Sequence, residues 1–365
     1  MQNNINNIRP SAESRYKQEL EVLAKHDKFE KPAGWKLSPR AVIFYLTGGK
    51  LTDKITIEPK YLGDRKLLEL CIATLLTDRG LLLMGLPGTA KSWLSEHLSA
   101  AISGISTSMI QGTVGMDENQ LKYHWNYAEL LQNGPSEKAL VNSPVLRSME
   151  AGVICRIEEL TRMPTEVQDI LITVLSEKMM SIPELNKEVF AQKGFNIIAT
   201  ANDRDKGVHD LSAALRRRFN IVYLSMPATL QEEIDIIHFR LRQIQEDLGL
   251  DKFKIPLEQL SDLVTIFREL RNGSTEDKKN KIKSPGSSLS TAEVLSVIQT
   301  GIQHSIHFGD GKLGPEDVAS SIHSTIVKDL KQDQGAWEEY IESMIKNRKG
   351  WKMWYNAFKA DGPLQ

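Results

Sequence analysis

The sequence predicts an α/β fold with a mostly parallel sheet, followed by a separate helical domain. Between residues 60 and 225, short apolar runs alternate with helical patterns, which favours a parallel sheet wrapped by helices. From residue 228 onward, helical patterns with apolar residues at three- and four-residue spacing take over. The 365 residues also exceed one comfortable core, so we expect at least two domains. The strands are expected at residues 81–84, 106–111, 153–158, 195–201 and 220–226.

Composition narrows the class of protein. The formal net charge of −1 gives no overall attraction to nucleic acid or to a membrane surface. Cys71 and Cys155 lie far apart within apolar runs, which indicates buried thiols rather than a disulfide framework. Residues 1–19 are polar and lack the apolar core of a signal peptide, and no run of 18 apolar residues follows. We therefore expect a cytoplasmic protein.

The stretch "MGLPGTAKSW" at 84–93 has the setting of a phosphate-binding loop. It follows an apolar strand and precedes a helical pattern, so backbone N–H groups would face an anion while Lys91 supplies a full charge. Ser92 is placed to coordinate magnesium. Ala90 stands where a second glycine usually precedes the lysine, and alanine is tolerated there if its φ is negative. The alternative is an ordinary strand-to-helix turn with an exposed lysine.

Polar side chains follow other predicted strands. Glu158 and Glu159 end the strand at 153–158, and the carboxyl ends of parallel strands open onto the same edge as the loop. One carboxylate can hold a water of a magnesium shell and the other can polarise an attacking water; the alternative is a pair that only caps the strand. Asn202 ends the strand at 195–201. The arginines 216–218 precede the last strand, as a solvated patch or as a charge offered to a neighbouring subunit.

The order of these motifs, G-x-P-G-x-A-K-S, the acid pair, "ATAN" and "ALRRRF", resembles the AAA+ ATPases and is most similar to their MoxR branch. Alanine before the loop lysine is typical of that branch. The residues from "SMIQGT" onward resemble its insertion in the second helix, and "SEKMMSIPELNKEVFAQKGF" resembles its hairpin before the asparagine strand. The resemblance covers about residues 58–300. It implies an AAA+ P-loop NTPase core at 58–227 and a helical lid at 228–330. Outside the resemblance, we expect an N-terminal arm with a small helical or extended segment at 1–57 and a C-terminal helical extension at 331–365.

Carried over by position, the resemblance implies ATP and Mg²⁺ as ligands. Lys91 would bind the β- and γ-phosphates, and Ser92 with Glu158 would hold Mg²⁺. The remaining nucleotide contacts would come from the loop and from a segment near adenine that includes Tyr61; these residues are Gly85, Pro87, Gly88, Thr89, Ala90, Trp93, Leu62 and Gly63.

The resemblance also implies the catalytic roles. Glu159 would be the general base for water, Asn202 the sensor of the γ-phosphate, and Arg218 the finger that acts on a neighbouring subunit, with the register among 216–218 left open. Two features depart from the family. Its first acid is normally aspartate, but here it is Glu158, and Ala292 falls where the lid arginine is usual.

Two groups of residues each allow two interpretations from the sequence. Arg268 or Arg271 could replace the missing lid arginine, although each fits a surface charge on its helix. The tryptophans at 337, 351 and 354 could pack on the lid or form a docking face for a partner.

The resemblance implies a ring-forming ATPase, a hexamer, that acts as a chaperone-like remodeller of a client or of a partner with a von Willebrand A domain. Two alternatives come from other classes. The first is a nucleotide-gated scaffold with weak ATP turnover, favoured by Glu158 and the absent lid arginine. The second is a DNA-acting motor, against which the near-neutral charge and the lack of a basic, aromatic-lined channel signature argue.

Overall fold

The computed structural model describes residues 8–203, 209–247, 250, 255–286 and 289–360. The first seven residues of the expected arm, Ser287 and Ser288 before the expected lid-arginine position, and the last five residues of the expected extension lie outside them. Contacts divide the chain into two units, residues 1–85 with 90–224, and residues 86–89 with 225–365. Among the described residues, no helix combines the length and apolar character needed to cross a membrane.

The first unit contains strands and helices in alternation. Its strands are β1 (Gly49–Thr52), β2 (Ile55–Ile57), β3 (Gly80–Gly85), β4 (Met109–Gln111), β5 (Tyr123–Trp125), β6 (Leu140–Asn142), β7 (Ile154–Glu158), β8 (Met179–Ile182), β9 (Lys187–Phe190), β10 (Asn196–Asn202) and β11 (Phe219–Leu224). Its helices are α1 (Ala12–Arg15), α2 (Lys17–His26), α3 (Pro39–Thr47), α4 (Arg65–Leu75), α5 (Lys91–Ser103), α6 (Glu118–Leu121), α7 (Tyr127–Asn133), α8 (Pro144–Ala151), α9 (Thr165–Ser176) and α10 (Ala213–Arg216).

Within the described residues, a five-stranded parallel sheet has the order β11–β3–β10–β7–β4. Each expected strand is present, although the second is shorter than expected and begins at Met109. Leu82 belongs to the core on one face of the sheet, whereas Leu81 and Leu83 belong to the core on the other. Because both faces are covered, β3 is a continuous apolar run, as is usual for parallel sheets. The predicted α/β class with helices after residue 228 is confirmed.

Residues 8–57 pack against the sheet. Val42, Tyr45 and Leu46 of α3 are fully buried in the core that also contains Leu81 and Leu83. The segment 176–195, expected as a hairpin, contains the antiparallel pair β8–β9. The antiparallel pairs β1–β2 and β5–β6 also occur, and β5 and β6 flank α7, a helix with no buried residue.

The second unit is helical. Its helices are α11 (Leu230–Asp247), α12 (Leu257–Asn272), α13 (Thr291–Phe308), α14 (Pro315–Ile326), α15 (Gln334–Tyr340), which continues as the π-helical segment Ile341–Ile345, and α16 (Lys352–Ala360). Trp337, Trp351 and Trp354 are 3%, 8% and 3% exposed and belong to the core of this unit. Of the two alternatives for these tryptophans, the structure therefore favours packing.

A buried carboxylate organises one end of this core. The Glu233 side chain has no exposed surface and accepts hydrogen bonds from Arg268 (3.0 Å), Arg271 (2.6 Å) and Thr291 (2.8 Å). Arg268 is only 5% exposed. The expectation of surface arginines is therefore wrong, because a buried carboxylate requires charged partners that surface periodicity does not reveal.

We predict that Glu233→Gln lowers the free energy of unfolding of the second unit by about 3 kcal/mol at pH 7, because it removes the buried charge that Arg271 and Arg268 share, although Arg268 keeps its ion pair with Glu276. Burial would raise the pKa of Glu233, but Arg271, Thr291 and Arg268 together lower it below 4.5. The stabilisation is therefore present above pH 4.5 and is lost as pH falls through the lower folded-state pKa.

Denaturant titrations across pH measure this difference between parent and variant. The control is Glu342→Gln, which removes an exposed carboxylate bonded to Lys346 and Lys359 and should change stability little. Equal effects of the two substitutions at pH 7 would contradict the conclusion that Glu233 is a buried carboxylate stabilised by its arginine partners.

Candidate functional site

Three strands of the central sheet end at the same edge. Gly85 of β3 is the register partner of Asn202 in β10, and Ile157 of β7 is the partner of Ala199. Glu158 therefore lies beside Thr200, and the turn that follows β3 begins next to Asn202. The sequence-predicted loop, acid pair and asparagine are thus brought together.

The loop between β3 and α5 contains two left-handed residues. Gly88 has φ +79° and Ala90 has φ 62° with ψ 24°, immediately before the helix begins at Lys91. The condition under which alanine would be tolerated here, a negative φ, is therefore not met. A left-handed conformation strains an L-residue with a Cβ by about 1–2 kcal/mol, so alanine here departs from what local preference would select.

Lys91 lies inside the loop rather than on the surface. It is 6% exposed, and its Nζ donates a hydrogen bond to the carbonyl oxygen of Gly85 at 3.1 Å. The exposed lysine of the alternative interpretation is therefore wrong, whereas nucleotide binding by this loop stays a prediction. Thr89 closes the loop further, because its Oγ1 donates to the carbonyl oxygen of Leu86 at 2.9 Å.

The Glu158 carboxylate is held by four donors. Its Oε2 accepts from Ser92 Oγ at 2.6 Å and from Thr200 Oγ1 at 2.7 Å. Its Oε1 accepts from Ser95 Oγ and from the Arg156 guanidinium, both at 2.7 Å. These partners come from α5, β7 and β10, so the carboxylate joins the loop helix to two strands. Arg156 is 5% exposed, and the Glu158 carboxylate is its ion-pair partner.

The electrostatics keep this carboxylate charged. Burial would raise the pKa of Glu158, but the positive charge of Arg156 and the donors Ser92, Thr200 and Ser95 together hold the pKa below its usual range. The hydroxyl of Ser92 donates a hydrogen bond to Glu158, and its oxygen keeps lone pairs for a ligand. An ionised carboxylate beside a hydroxyl oxygen is a hard oxygen donor set, which fits Mg²⁺.

Glu159 occupies a strained turn after β7. It has φ 56° and ψ 45°, and its backbone N–H donates to Thr200 Oγ1 at 3.1 Å. The Asn202 Nδ2 lies 3.1 and 3.0 Å from the two carboxylate oxygens of Glu159. A Cβ at Gly112 would lie 2.3 Å from the Glu159 carbonyl oxygen, so only glycine fits beside this turn. Neighbouring segments thus determine the direction in which Glu159 points.

The segment expected near adenine lies beside the loop helix. The indole Nε1 of Trp93 donates to the carbonyl oxygen of Lys60 at 2.6 Å. Leu62 and Gly63 follow on the exposed side. Trp93 therefore connects α5 to residues 60–63.

The arginine triplet lies at the opposite edge of the sheet. Arg218 directly precedes β11, whose first residue, Phe219, is the register partner of Gly80 at the start of β3. Its side chain donates to Ser176 Oγ at 2.8 Å and to the Ala214 carbonyl at 2.9 Å. Five residues of β3 separate this edge from the loop, about 17 Å at 3.3 Å per residue. Arg218 is thus not brought to the loop of its own chain.

Comparison with known families agrees with this arrangement. Residues 80–219 match the model of the AAA domain (dynein-related subfamily), and residues 231–364 match that of the YehL-like AAA+ ATPase C-terminal domain. The protein YehL of Escherichia coli (strain K12) is 38% identical over 358 residues, which cover 96% of each chain. The chain belongs to the YehL-like AAA+ ATPases.

Two more distant similarities cover different shares of this AAA+ chain. The protein YojN of Bacillus subtilis (strain 168) is 26% identical over 222 residues, 60% of this chain and 69% of YojN. A crystal structure of NtrX from Brucella abortus in complex with ATP has 15% identity and a TM-score of 0.49, covering 96% of this chain and 73% of NtrX.

Sequence reasoning missed three residues of the site in this AAA+ ATPase. Ser95 lies three residues after Ser92 on the same face of α5, and Thr200 lies two residues before Asn202 in β10. Arg156 lies two residues before Glu158, and the period of two in a strand places both side chains on one face. These spacings are visible in the sequence. The residue types alone do not indicate a role in the site, however, because the partner of a buried arginine or serine is not known from the sequence.

We predict that Ala90→Gly raises the free energy of unfolding of the first unit by about 1 kcal/mol, because glycine adopts the left-handed conformation without strain. Part of the gain is offset by the greater freedom of glycine in the unfolded chain. The matched control is Gly104→Ala at the other end of α5, where φ is 73°. That substitution should lower the free energy of unfolding. Denaturant titration measures both, and a destabilised Ala90→Gly protein would contradict the strain at residue 90.

Proposed function

We propose that this protein binds and hydrolyses ATP with Mg²⁺ in a hexameric ring in the cytoplasm, as a member of the MoxR-like branch. The observation that carries the proposal is the contact between Ser92 and Glu158 at the edge where Glu159 and Asn202 meet. The AAA+ family assignment of the core supports ATP as the ligand.

In this proposal Lys91 binds the β- and γ-phosphates in place of the Gly85 carbonyl that it contacts in the structure. Backbone N–H groups of the loop and of the first turn of α5 supply the remaining donors to phosphate. Ser92 and Glu158 hold Mg²⁺, which neutralises charge on the phosphates when bound. Trp93 and residues 61–63 line the approach to the base.

Glu159 takes a proton from the attacking water. Asn202 is the sensor, because its amide donors contact the carboxylate of Glu159 in the structure. If these donors turn to the γ-phosphate, the carboxylate gains a lone pair with which to accept the proton. Recognition of phosphate and activation of the base would then be coupled through one side chain.

Arg218 is the candidate for the finger that acts on the site of the neighbouring subunit. Its location at the far edge of the sheet supports action in trans, since about 17 Å separate it from its own loop. Arg216 and Arg217 are exposed, whereas Arg218 is partly buried and bonded to its own chain. Arg217 is therefore tested beside Arg218.

Remodelling of a protein client, or of a partner with a von Willebrand A domain, rests on the resemblance to the MoxR branch alone. A second candidate is a scaffold that binds ATP with weak turnover. It is favoured by the engagement of Arg268 and Arg271 with Glu233, which commits both candidates for a lid arginine to a buried ion pair.

We predict that Glu159→Gln binds ATP but releases almost no phosphate, because an amide does not accept a proton from water. Arg218→Ala should also be nearly inactive, because every site in its ring lacks the finger. A mixed ring contains boundaries with an intact Glu159 on one side and an intact Arg218 on the other. Mixing the two variants under conditions that allow subunit exchange should therefore restore part of the ATPase activity.

Phosphate release measures the recovery, and Arg217→Ala replaces Arg218→Ala in a parallel series. Inactive mixtures for both arginines after complete exchange would refute the finger in trans. Equal, slow phosphate release by the parent and by Glu159→Gln would instead support the weak-turnover scaffold.

A further inference from the structure

Lys60 is a buried cation directly before residues 61–63. Its side chain has no exposed surface, and its Nζ donates to the Glu19 carboxylate at 2.7 Å and to the Glu58 carbonyl at 2.6 Å. The same ammonium lies 4.2 Å from the ring centroid of Tyr16 and 5.2 Å from that of Tyr45. An ammonium removed from water needs such partners, and the faces of aromatic rings attract it. A carboxylate, a carbonyl and two rings therefore hold this charge.

The backbone of Lys60 is held as well. Its N–H donates to the Leu46 carbonyl at 2.8 Å, and its carbonyl accepts from the indole Nε1 of Trp93 at 2.6 Å. Glu19 belongs to α2, Leu46 to α3 and Trp93 to the first turn of α5. One residue thus connects two helices of the N-terminal arm, residues 1–57, to the helix that follows the loop.

A second path leads from the same cluster to α5. The Tyr45 hydroxyl and the Nδ1 of His97 share a hydrogen bond of 2.9 Å, and both side chains are buried. His97 follows Trp93 by four residues, which places both on one face of α5, and their ring centroids are 4.4 Å apart. The ring that covers the Lys60 ammonium is therefore bonded to the neighbour of Trp93.

The ion pair of Lys60 and Glu19 is costly to bury. Burial lowers the pKa of Lys60 and raises the pKa of Glu19, whereas the hydrogen bond between them opposes both shifts. Apolar residues of similar volume often stabilise a protein as well as a buried ion pair does. A buried pair does, however, disfavour arrangements in which its charges are unmatched. The contribution expected of this pair is therefore the position of its backbone rather than stability.

We propose that Lys60 and Glu19 are positioning residues through which the N-terminal arm holds Trp93 and residues 61–63 at the base side of the nucleotide site. Among the contacts of the described residues, neither side chain bonds to the phosphate-binding loop or to the acid pair. The pair therefore affects recognition of the base and leaves the binding of phosphate unchanged. This inference rests on the proposed function, since it assigns what positions one side of the same site.

The test compares two ligands by calorimetric titration of the full-length protein in saturating magnesium. The first is the non-hydrolysable ATP analogue AMP-PNP, and the second is tripolyphosphate, which has the phosphate chain without ribose or base. Lys60→Met keeps an unbranched apolar stem and removes the ammonium. We expect it to raise the Kd for AMP-PNP about tenfold and to change the Kd for tripolyphosphate by less than about twofold, because residues that act on a ligand through others typically change its affinity by factors of this order.

The matched control is Lys178→Met, which removes an ammonium that donates to the Asp78 carbonyl at 2.6 Å, before β3 begins. Both Kd values should stay at those of the parent. A double-substitution cycle tests the pair itself. Glu19→Gln should raise the Kd for AMP-PNP in the parent but change it little in the Lys60→Met background, because the carboxylate no longer has an ammonium to hold.

The outcomes are distinguishable. If the parent does not bind AMP-PNP, the proposed function fails. If the parent binds it and folded Lys60→Met has the same Kd, or loses affinity for both ligands equally, the positioning role is overturned. If Lys60→Met does not fold, Glu19→Gln decides, and a parental Kd for AMP-PNP in that variant overturns the inference. If tripolyphosphate binds the parent too weakly to measure, the cycle decides, and additive effects of the two substitutions overturn the inference.

Discussion

The arrangement of the site depends on the burial of one carboxylate. Glu158 is 4% exposed, and an ionised carboxylate removed from water is tolerated only when donors satisfy it on every side. Those donors are Ser92 and Ser95 on α5, Arg156 on β7 and Thr200 on β10. They meet only if β10 lies beside β7 and the helix after β3 crosses their ends. The strand order and the loop geometry together therefore satisfy the buried charge of Glu158.

Buried carboxylates that are satisfied by charged and polar donors also occur in the helical unit. Glu233 is buried between Arg268 and Arg271, and Glu269 accepts from Arg348 and Tyr340. The first pair joins α11 to α12, and the second joins α12 to the turn that precedes α16. A buried ion pair adds modest stability but disfavours arrangements in which its charges are unmatched. In the first unit the buried pair of Arg156 and Glu158 lies beside the proposed metal site.

The sequence was most informative where pattern reflects burial directly. The apolar runs predicted every strand of the central sheet, and the carboxyl ends of those strands predicted that the loop, Glu158 and Asn202 would meet. It was least informative where a side chain depends on a partner distant in sequence. Arg268 follows a helical pattern that fits a surface charge, and only the burial of Glu233 explains its position.

The sequence pattern also did not predict the strained backbone positions. Nothing in the residue type of Ala90 indicates a φ of 62°, because alanine alone would favour a right-handed conformation. Glu159 also has a positive φ that its residue type does not indicate. The direction of its side chain depends on Thr200, Asn202 and the close approach of Gly112. Such positions are determined by the surrounding fold.

The most direct measurement of the central claim is calorimetric titration of ATP with magnesium into the parent and into Lys91→Ala. The account predicts saturable binding to the parent, and no detectable binding to a variant whose loop has lost the amine now held at the Gly85 carbonyl. Because Lys91 is buried, thermal unfolding must first show that the variant is folded. Parental affinity in a folded Lys91→Ala protein would contradict the claim that this loop holds a nucleotide.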